Sequence, residues 1–379
     1  MTDINVELYK YEPFDKNGYT RGHLQLLCYG KDCNNQLIMA IIRIAMKRIP
    51  TYAFTKELIK IDKIKKETGY TDPVAHTYDM IRDHIKNIPI VNIDPNISYL
   101  NEKYWKDVNF LDKDREKHEN EKKINMYIDC KNDTNDIIHV LTSDMKIYID
   151  DKEVSNLYNS KYPFWITSLK PKEAFKCSMI PMLSIGYRNK GSQWDSAPNG
   201  WFDQDTIKDK TILHLEGTLC YDEISLMSRT LEYFILRLSY IKNEIERQYK
   251  LIEIDNEEFN IVIVDEDHTF GEVIAYELQL HKNIKYASNS RPDHLIRSIT
   301  IKVISLHKDK MMDYISESID NLIIKINVFK EKFEDIKEPT KSVKEPTKSI
   351  KEPTKSVKES TKSIKEPIIT TTKSKSKKT

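Results

Sequence analysis

Four consecutive residues, Asp265, Glu266, Asp267 and His268, are the side chains whose types and spacing best suit chemistry. Carboxylates this close could hold Mg2+ for nucleotidyl transfer, because hard cations take oxygen ligands. The same run, followed by Thr269 and an apolar stretch, also reads as a helix start. Asp267 or Thr269 would cap the first turn, and negative charge is favoured at that end. No glycine-rich phosphate loop and no second acidic cluster accompany it, so the cap is the preferred reading. His23, His76, His84, His139 and His214 are scattered, without a Ser, Cys or carboxylate at a recognisable catalytic spacing. Packed or surface histidines account for them better than a triad. The segment GYRNKGSQW, with Gly186, Lys190 and Gly191, is basic and glycine-bearing but matches no phosphate-binding motif. Cysteines 28, 33, 130, 177 and 220 are odd in number and form no CxxC pair, which supports neither a disulfide framework nor a zinc finger. No catalytic, metal-binding or cofactor-binding residue and no cofactor is therefore expected.

The elements around these residues form two similar series. HLQLLCY (23–29) alternates as a strand, residues 32–35 offer helix caps, and NQLIMAIIRIAMKRIP reads as a helix over 36–49 that Pro50 ends. That helix is apolar on more than one face, so it needs cover on two sides. Later, EFNIVIV (258–264) alternates as a strand and leads into a helix over 269–281. Phe270, Val273, Ile274 and Leu278 share one face of it. RSITIKVIS then places Ile299, Ile301 and Val303 on the buried side of another strand. Each series closes on a long helix with a narrow heptad seam. The first carries Ile224, Met227, Leu231, Phe234, Leu238, Ile241 and Ile245. The second carries Met312, Ile315, Ile319, Leu322, Ile326, Phe329 and Phe333. Between the series, from about 93 to 205, a charged stretch reads as a surface loop or exposed helix. Short alternating runs follow it, and the whole suggests a small β-rich insertion.

The chain has 379 residues, enough for two or three domains, and 60 Lys+Arg balance 59 Asp+Glu at a net +1. The balance hides an asymmetry. Residues 337–379 hold 13 Lys and 5 Glu, a net +8, which leaves the body near −7 and argues against a body built to wrap nucleic acid. The tail runs KEPTKSV, KEPTKSI, KEPTKSV, KESTKSI at period seven. Pro339, Pro346 and Pro353 should break any helix there, so a disordered tail is expected. No apolar run reaches the ~18 residues of a membrane span, and the amino terminus lacks the basic-then-apolar pattern of a secretory leader.

These blocks resemble a known family. DEDHTFGEVIAYELQLHKNIKYASNSRPDHLIRSITIKV is similar to the smaller α-like subunit of eukaryotic and archaeal RNA polymerases, with its acidic-His-Thr turn entering the first helix. NNQLIMAIIRIAMKRIPTYAF, TDPVAHTYDMIRDHIKNIPI, IGYRNKGSQWDSAPNGWFD and LEGTLCYDEISLMSRTLEYFILRL resemble, in order, segments of the larger α-like subunit. The resemblance spans roughly residues 20–330. It implies an α+β chain in which two dimerisation units, homologous to the bacterial α amino-terminal domain, are fused as an intramolecular pseudo-dimer, an arrangement of some large DNA viruses. The implied domains are 1–92 with 206–250, a β-rich insert at 93–205, a second unit at 251–336, and the tail at 337–379. The cysteine cluster that often binds zinc or iron–sulfur in the larger subunit is missing, because Cys130 and Cys177 stand alone.

The resemblance further implies a non-catalytic assembly subunit of a DNA-directed RNA polymerase. It would dock the second-largest catalytic subunit and a small zinc-binding subunit, and meet DNA only through the holoenzyme. No membrane association is expected. A viral chain would belong to the virion and the host cytoplasm, and otherwise to the nucleus. The expected junction between units comprises Ile38, Ile41, Ile42, Ala45 and Ile49 on one side, and Phe270, Val273, Ile274 and Leu278 on the other. Two rival classes stay open: a nucleic-acid-binding protein working through the basic tail, and a Mg2+-dependent nucleotidyl transferase using Asp265 and Asp267.

Overall fold

The computed structural model describes residues 2–13, 15, 21–112, 114–155, 157–187, 192–205, 210–251, 258–291 and 298–342. The chain divides into a unit at 1–340 and a segment at 341–379. The elements open with β1 (Asn5–Glu12), β2 (His23–Tyr29), α1 (Asn35–Lys47), β3 (Thr51–Ala53), β4 (Ile59–Asp62) and α2 (Tyr78–Lys86). Nine strands follow: β5 (Ile124–Lys131), β6 (Ile138–Leu141), β7 (Lys146–Ile149), β8 (Lys152–Glu153), β9 (Trp165–Leu169), β10 (Ala174–Met179), β11 (Met182–Ser184), β12 (Asn199–Asp205) and β13 (Lys210–Glu216). The rest is α3 (Glu223–Leu251), β14 (Glu258–Val264), α4 (His268–Leu280), β15 (Ile284–Ser290), β16 (Ser298–Ser305) and α5 (Met311–Ser342). The fold is mixed α+β.

β1, β2, β13 and β12 form an antiparallel sheet in that order. Alternation along β2 buries Leu24, Leu26 and Cys28 and leaves His23, Gln25, Leu27 and Tyr29 on the other face. α1 starts where Asn34 Oδ1 accepts the Leu37 N–H at 2.8 Å. Its buried residues, Leu37, Ile38, Ala40, Ile41, Ile42, Ile44 and Ala45, lie on more than one face. The cover comes from β12 and β13 on one side and from α3 and α4 on the other. β14, β16 and β15 form a second antiparallel sheet with Phe259, Ile261, Ile263, Ile299, Ile301 and Val303 inward, and α4 lies over β15 and β16. One continuous apolar core contains side chains of both sheets and of α1, α3, α4 and α5.

A second core belongs to the β-rich middle, and its bounds differ from those expected. Its main sheet has the order β4-β10-β5-β7-β8, so β4 joins from ahead of residue 93. Tyr52, Phe54, Ile81 and Ile85 pack in the same core. At the other end, β12 lies within the expected 93–205 insert yet pairs with β13 in the first sheet. Sequence alternation could not assign these pieces, because strand partners are chosen by long-range packing. The charged stretch also departs from a plain surface loop: Trp105 is buried, and Arg115 pairs with Glu121 with both side chains enclosed.

Helix α5 runs on through Lys337–Ser342, including Pro339, where a break was expected. Pro339 has no N–H to give the carbonyl of Asp335, so the closing turns of α5 hold with one ladder bond fewer. Residues 343–379, with Pro346, Pro353 and the remaining repeats, lie outside the described residues. Among the described residues no helix is long and apolar enough to cross a membrane.

Candidate assembly interface

The acidic run lies where α4 begins, and each of its carboxylates faces a cation. Asp267 caps α4, accepting the Thr269 N–H at 2.8 Å. Asp265, at a left-handed φ of 65°, pairs with Lys106. Glu266 is fully enclosed, with a side-chain exposure of 0%. Arg48 Nη2 donates to its Oε2 at 2.8 Å, and Arg237 Nε donates to its Oε1 at 2.7 Å. Both arginine side chains are only 4% exposed. Arg48 follows α1 and Arg237 stands midway along α3, so two elements of the first series hold one carboxylate of the second.

Burial alone would weaken the hold of both arginines on their protons. The charge of Glu266, together with smaller contributions from the groups around it, outweighs this and keeps both guanidiniums firmly protonated. Further contacts fix their planes. The Arg48 guanidinium lies 3.2 Å from the centre of the Tyr187 ring and 3.4 Å from Asp267 Oδ2. Arg237 reaches Tyr99 Oη at 3.4 Å and Glu102 Oε1 at 3.5 Å. The segment Tyr99–Lys106 thus straps across the node, touching Arg237 on one series and Asp265 on the other. With both Glu266 oxygens taken by guanidiniums, the run is built as a structural clasp rather than as a site for a divalent cation. Among the described residues no group of three or more His, Cys, Asp or Glu side chains is placed to hold a metal.

The expected junction residues are all in the core. Ile38, Ile41, Ile42, Ala45, Ile49, Phe270, Val273, Ile274 and Leu278 are each buried, and α1 packs on α4. Their individual neighbours differ. Phe270 meets Phe234 of α3 edge to face, with ring centres 5.5 Å apart, and so contacts the first series directly. Ile42 lies over β12 instead, where a Cβ added at Gly200 would come within 2.7 Å of its Cγ2. Polar contacts between the long helices add to the junction: Lys242 Nζ donates to Asp320 at 2.7 Å, and Lys330 Nζ to Glu232 at 3.3 Å. At the far end of α3, the Gln248 side chain bonds both the N–H and the C=O of Val262 on edge strand β14.

The segment resembling the larger subunit's tryptophan-and-small-residue run closes α1. Ser196 donates from N–H to Met46 O at 2.9 Å and from Oγ to Ala45 O at 2.6 Å, satisfying carbonyls that the helix end leaves open. Trp194 is buried, and its Nε1–H donates to Met182 O. Lys190 and Gly191 lie outside the described residues.

Arg48 and Arg237 were absent from the residues expected to form the junction. The available signal was compositional: 11 Arg stand among 49 Lys, so an arginine at the edge of an apolar seam was conspicuous. The histidines are less dispersed than their spacing implied. Strand pairing brings His23 Nε2 to 3.1 Å from His214 Nδ1, with Trp201 stacked on His214 at 4.7 Å. His76, His84 and Trp165 also share contacts.

Comparison with known proteins follows the same lines. Residues 258–332, from β14 into α5, match the family described as the RNA polymerase Rpb3/Rpb11 dimerisation domain. The chain is 21% identical over 321 residues to a curated protein of Acanthamoeba polyphaga mimivirus, which is named as a DNA directed RNA polymerase subunit. That alignment covers 80% of this chain and 87% of the mimivirus protein. The part of the chain that supplies Glu266, Phe270 and the helix packed on α1 is therefore similar to a dimerisation domain of RNA polymerase subunits.

Proposed function

We propose that the chain is a non-catalytic assembly subunit of a DNA-dependent RNA polymerase, with two α-like units paired inside one polypeptide. The first unit consists of β1, β2, α1, β12, β13 and α3; the second runs from β14 through α5. The observation that carries this reading is the Arg48–Glu266–Arg237 clasp beside the α1–α4 packing, in which the segment that matches a dimerisation domain supplies Glu266 and α4. A junction prepared within one chain lowers the entropic cost of assembly, because the two units need not first find each other in solution. By resemblance, those subunits are the second-largest catalytic subunit and a small zinc-binding one, with DNA met only through the holoenzyme. The similarity to a mimivirus protein favours a viral polymerase working in the virion and the host cytoplasm.

The pairing is tested by cutting. A protease site engineered at Asn256, between α3 and β14, should leave both fragments co-eluting in gel filtration after complete cleavage, because the apolar core and the ion pairs span the cut. Two stable monomers at micromolar concentration would contradict the pairing and the function built on it.

A further inference from the structure

Two of the ion pairs that cross between the halves occupy related places. Arg237 stands one residue before Leu238 of the first seam, and Lys325 one residue before Ile326 of the second, the same step of both patterns. Arg237 Nε reaches Glu266, the residue just ahead of the α4 cap, at 2.7 Å. Lys325 Nζ reaches Asp32, two residues ahead of the α1 cap Asn34, at 3.1 Å. Each long helix therefore sends a cation to the carboxylate that precedes the other half's short helix. That reciprocity is what a two-fold relation between the halves produces.

The nodes have unequal content. At the first, Arg48, Arg237 and Lys106 of the first half face Glu266, Asp267 and Asp265 of the second, and Glu102 of the first half lies 3.5 Å from Arg237. At the second, the Lys325 ammonium also donates to Glu277 of α4 at 2.9 Å, and the local helix cap is the neutral Asn34. Enclosed charges rarely add much net stability, since desolvation consumes the attraction, but an unmatched one is heavily penalised. Such groups discriminate between partners more than they strengthen a fit.

We infer that the two reciprocal nodes are the specificity determinant of the junction, selecting first-with-second pairing over pairing of like halves from separate copies. This rests on reading the junction as an assembly interface. In a pairing of two first halves, Arg48, Arg237 and Lys106, with Glu102 beside them, would face Asp32 and the neutral Asn34 at both nodes, an unmatched positive charge each time. In a pairing of two second halves, Glu266, Asp267 and Glu277 would crowd one Lys325 ammonium at both nodes. Unlike pairing leaves each node within one charge of balance, with a single excess carboxylate at each; at the second, Asp32 is 28% exposed and water can screen it. A fused chain made of two related units meets this sorting problem whenever copies fold side by side.

The test uses the full chain with the Asn256 protease site and a mass label on one population. A charge-exchanged chain, Arg237→Glu with Glu266→Arg, is cleaved, mixed with the cleaved parent, unfolded in urea and refolded, and the pairs are counted by native mass spectrometry. Parental pairs should outnumber crossed pairs by about tenfold or more, because each crossed pair carries two unmatched buried charges. Equal numbers of parental and crossed pairs would overturn the inference while leaving the pairing itself intact. If the exchanged chain does not refold, Glu266→Gln is measured instead. The concentration at which its cleaved halves separate should rise about a hundredfold or more, and an unchanged value would overturn the inference. Separation of the parental halves would instead retire the junction and this inference together.

Discussion

Glu223 carries a carboxyl group enclosed at the first turn of α3, where glycines leave the space it fills. A methyl group at Gly22 or Gly217 would overlap its carboxylate. The Tyr11 hydroxyl donates to Oε2 at 3.4 Å, which ties β1 to the start of the long helix. Burial, with the neighbouring Asp222 charge adding to it, raises the Glu223 carboxyl from an ordinary 4.5 to about 7. The sign follows from linkage: the folded chain holds this proton more tightly than the unfolded chain does. The stabilisation is therefore complete below pH 4.5 and is lost as pH rises through about 7. Thermal unfolding followed from pH 4.5 to 8 should show Tm falling across that window, and Glu223→Gln should flatten the fall. A variant with the parental pH profile would show that Glu223 does not set it.

At the scale of elements, the close approach of α1 to its own sheet is set at Gly200 on β12. Ile42 is β-branched and buried, so it has little freedom to swing away from an added methyl. Gly200→Ala should cost about 1–3 kcal/mol of stability through this overlap, read as a lower urea midpoint with an unchanged slope. A neutral or stabilising substitution would mean that α1 sits more loosely than described. The same sheet explains what could be read in advance. β2, β14 and β16 each bury one face, so their sequences alternate and their spans were legible, as were the seams of α3 and α5. β1 and β12 lie at the edges of their sheet with most side chains outward, and NGWFDQD carries no apolar alternation to betray a strand. The cap at Asp267 was legible because it depends on neighbours in the chain. The partners of Glu266 were not, because Arg48 lies 218 residues away and only the tertiary fold brings it there.

At the scale of the whole molecule, an enclosed ionic clasp, a shared apolar core and a segment similar to a polymerase dimerisation domain together support the proposal that this chain organises an RNA polymerase without carrying its chemistry. Glu266 is held by two guanidiniums, so the acidic run has no open oxygen on its central residue to offer a metal. The most direct measurement is to isolate the tagged full-length chain from its native source, identify the bound proteins by mass spectrometry, and assay RNA synthesis of the complex beside the lone chain. The account predicts stoichiometric recovery of the two largest polymerase subunits, template-dependent synthesis by the complex, and none by the lone chain. Recovery of the chain without polymerase subunits, or synthesis by the pure chain that Asp267→Ala abolishes, would contradict it.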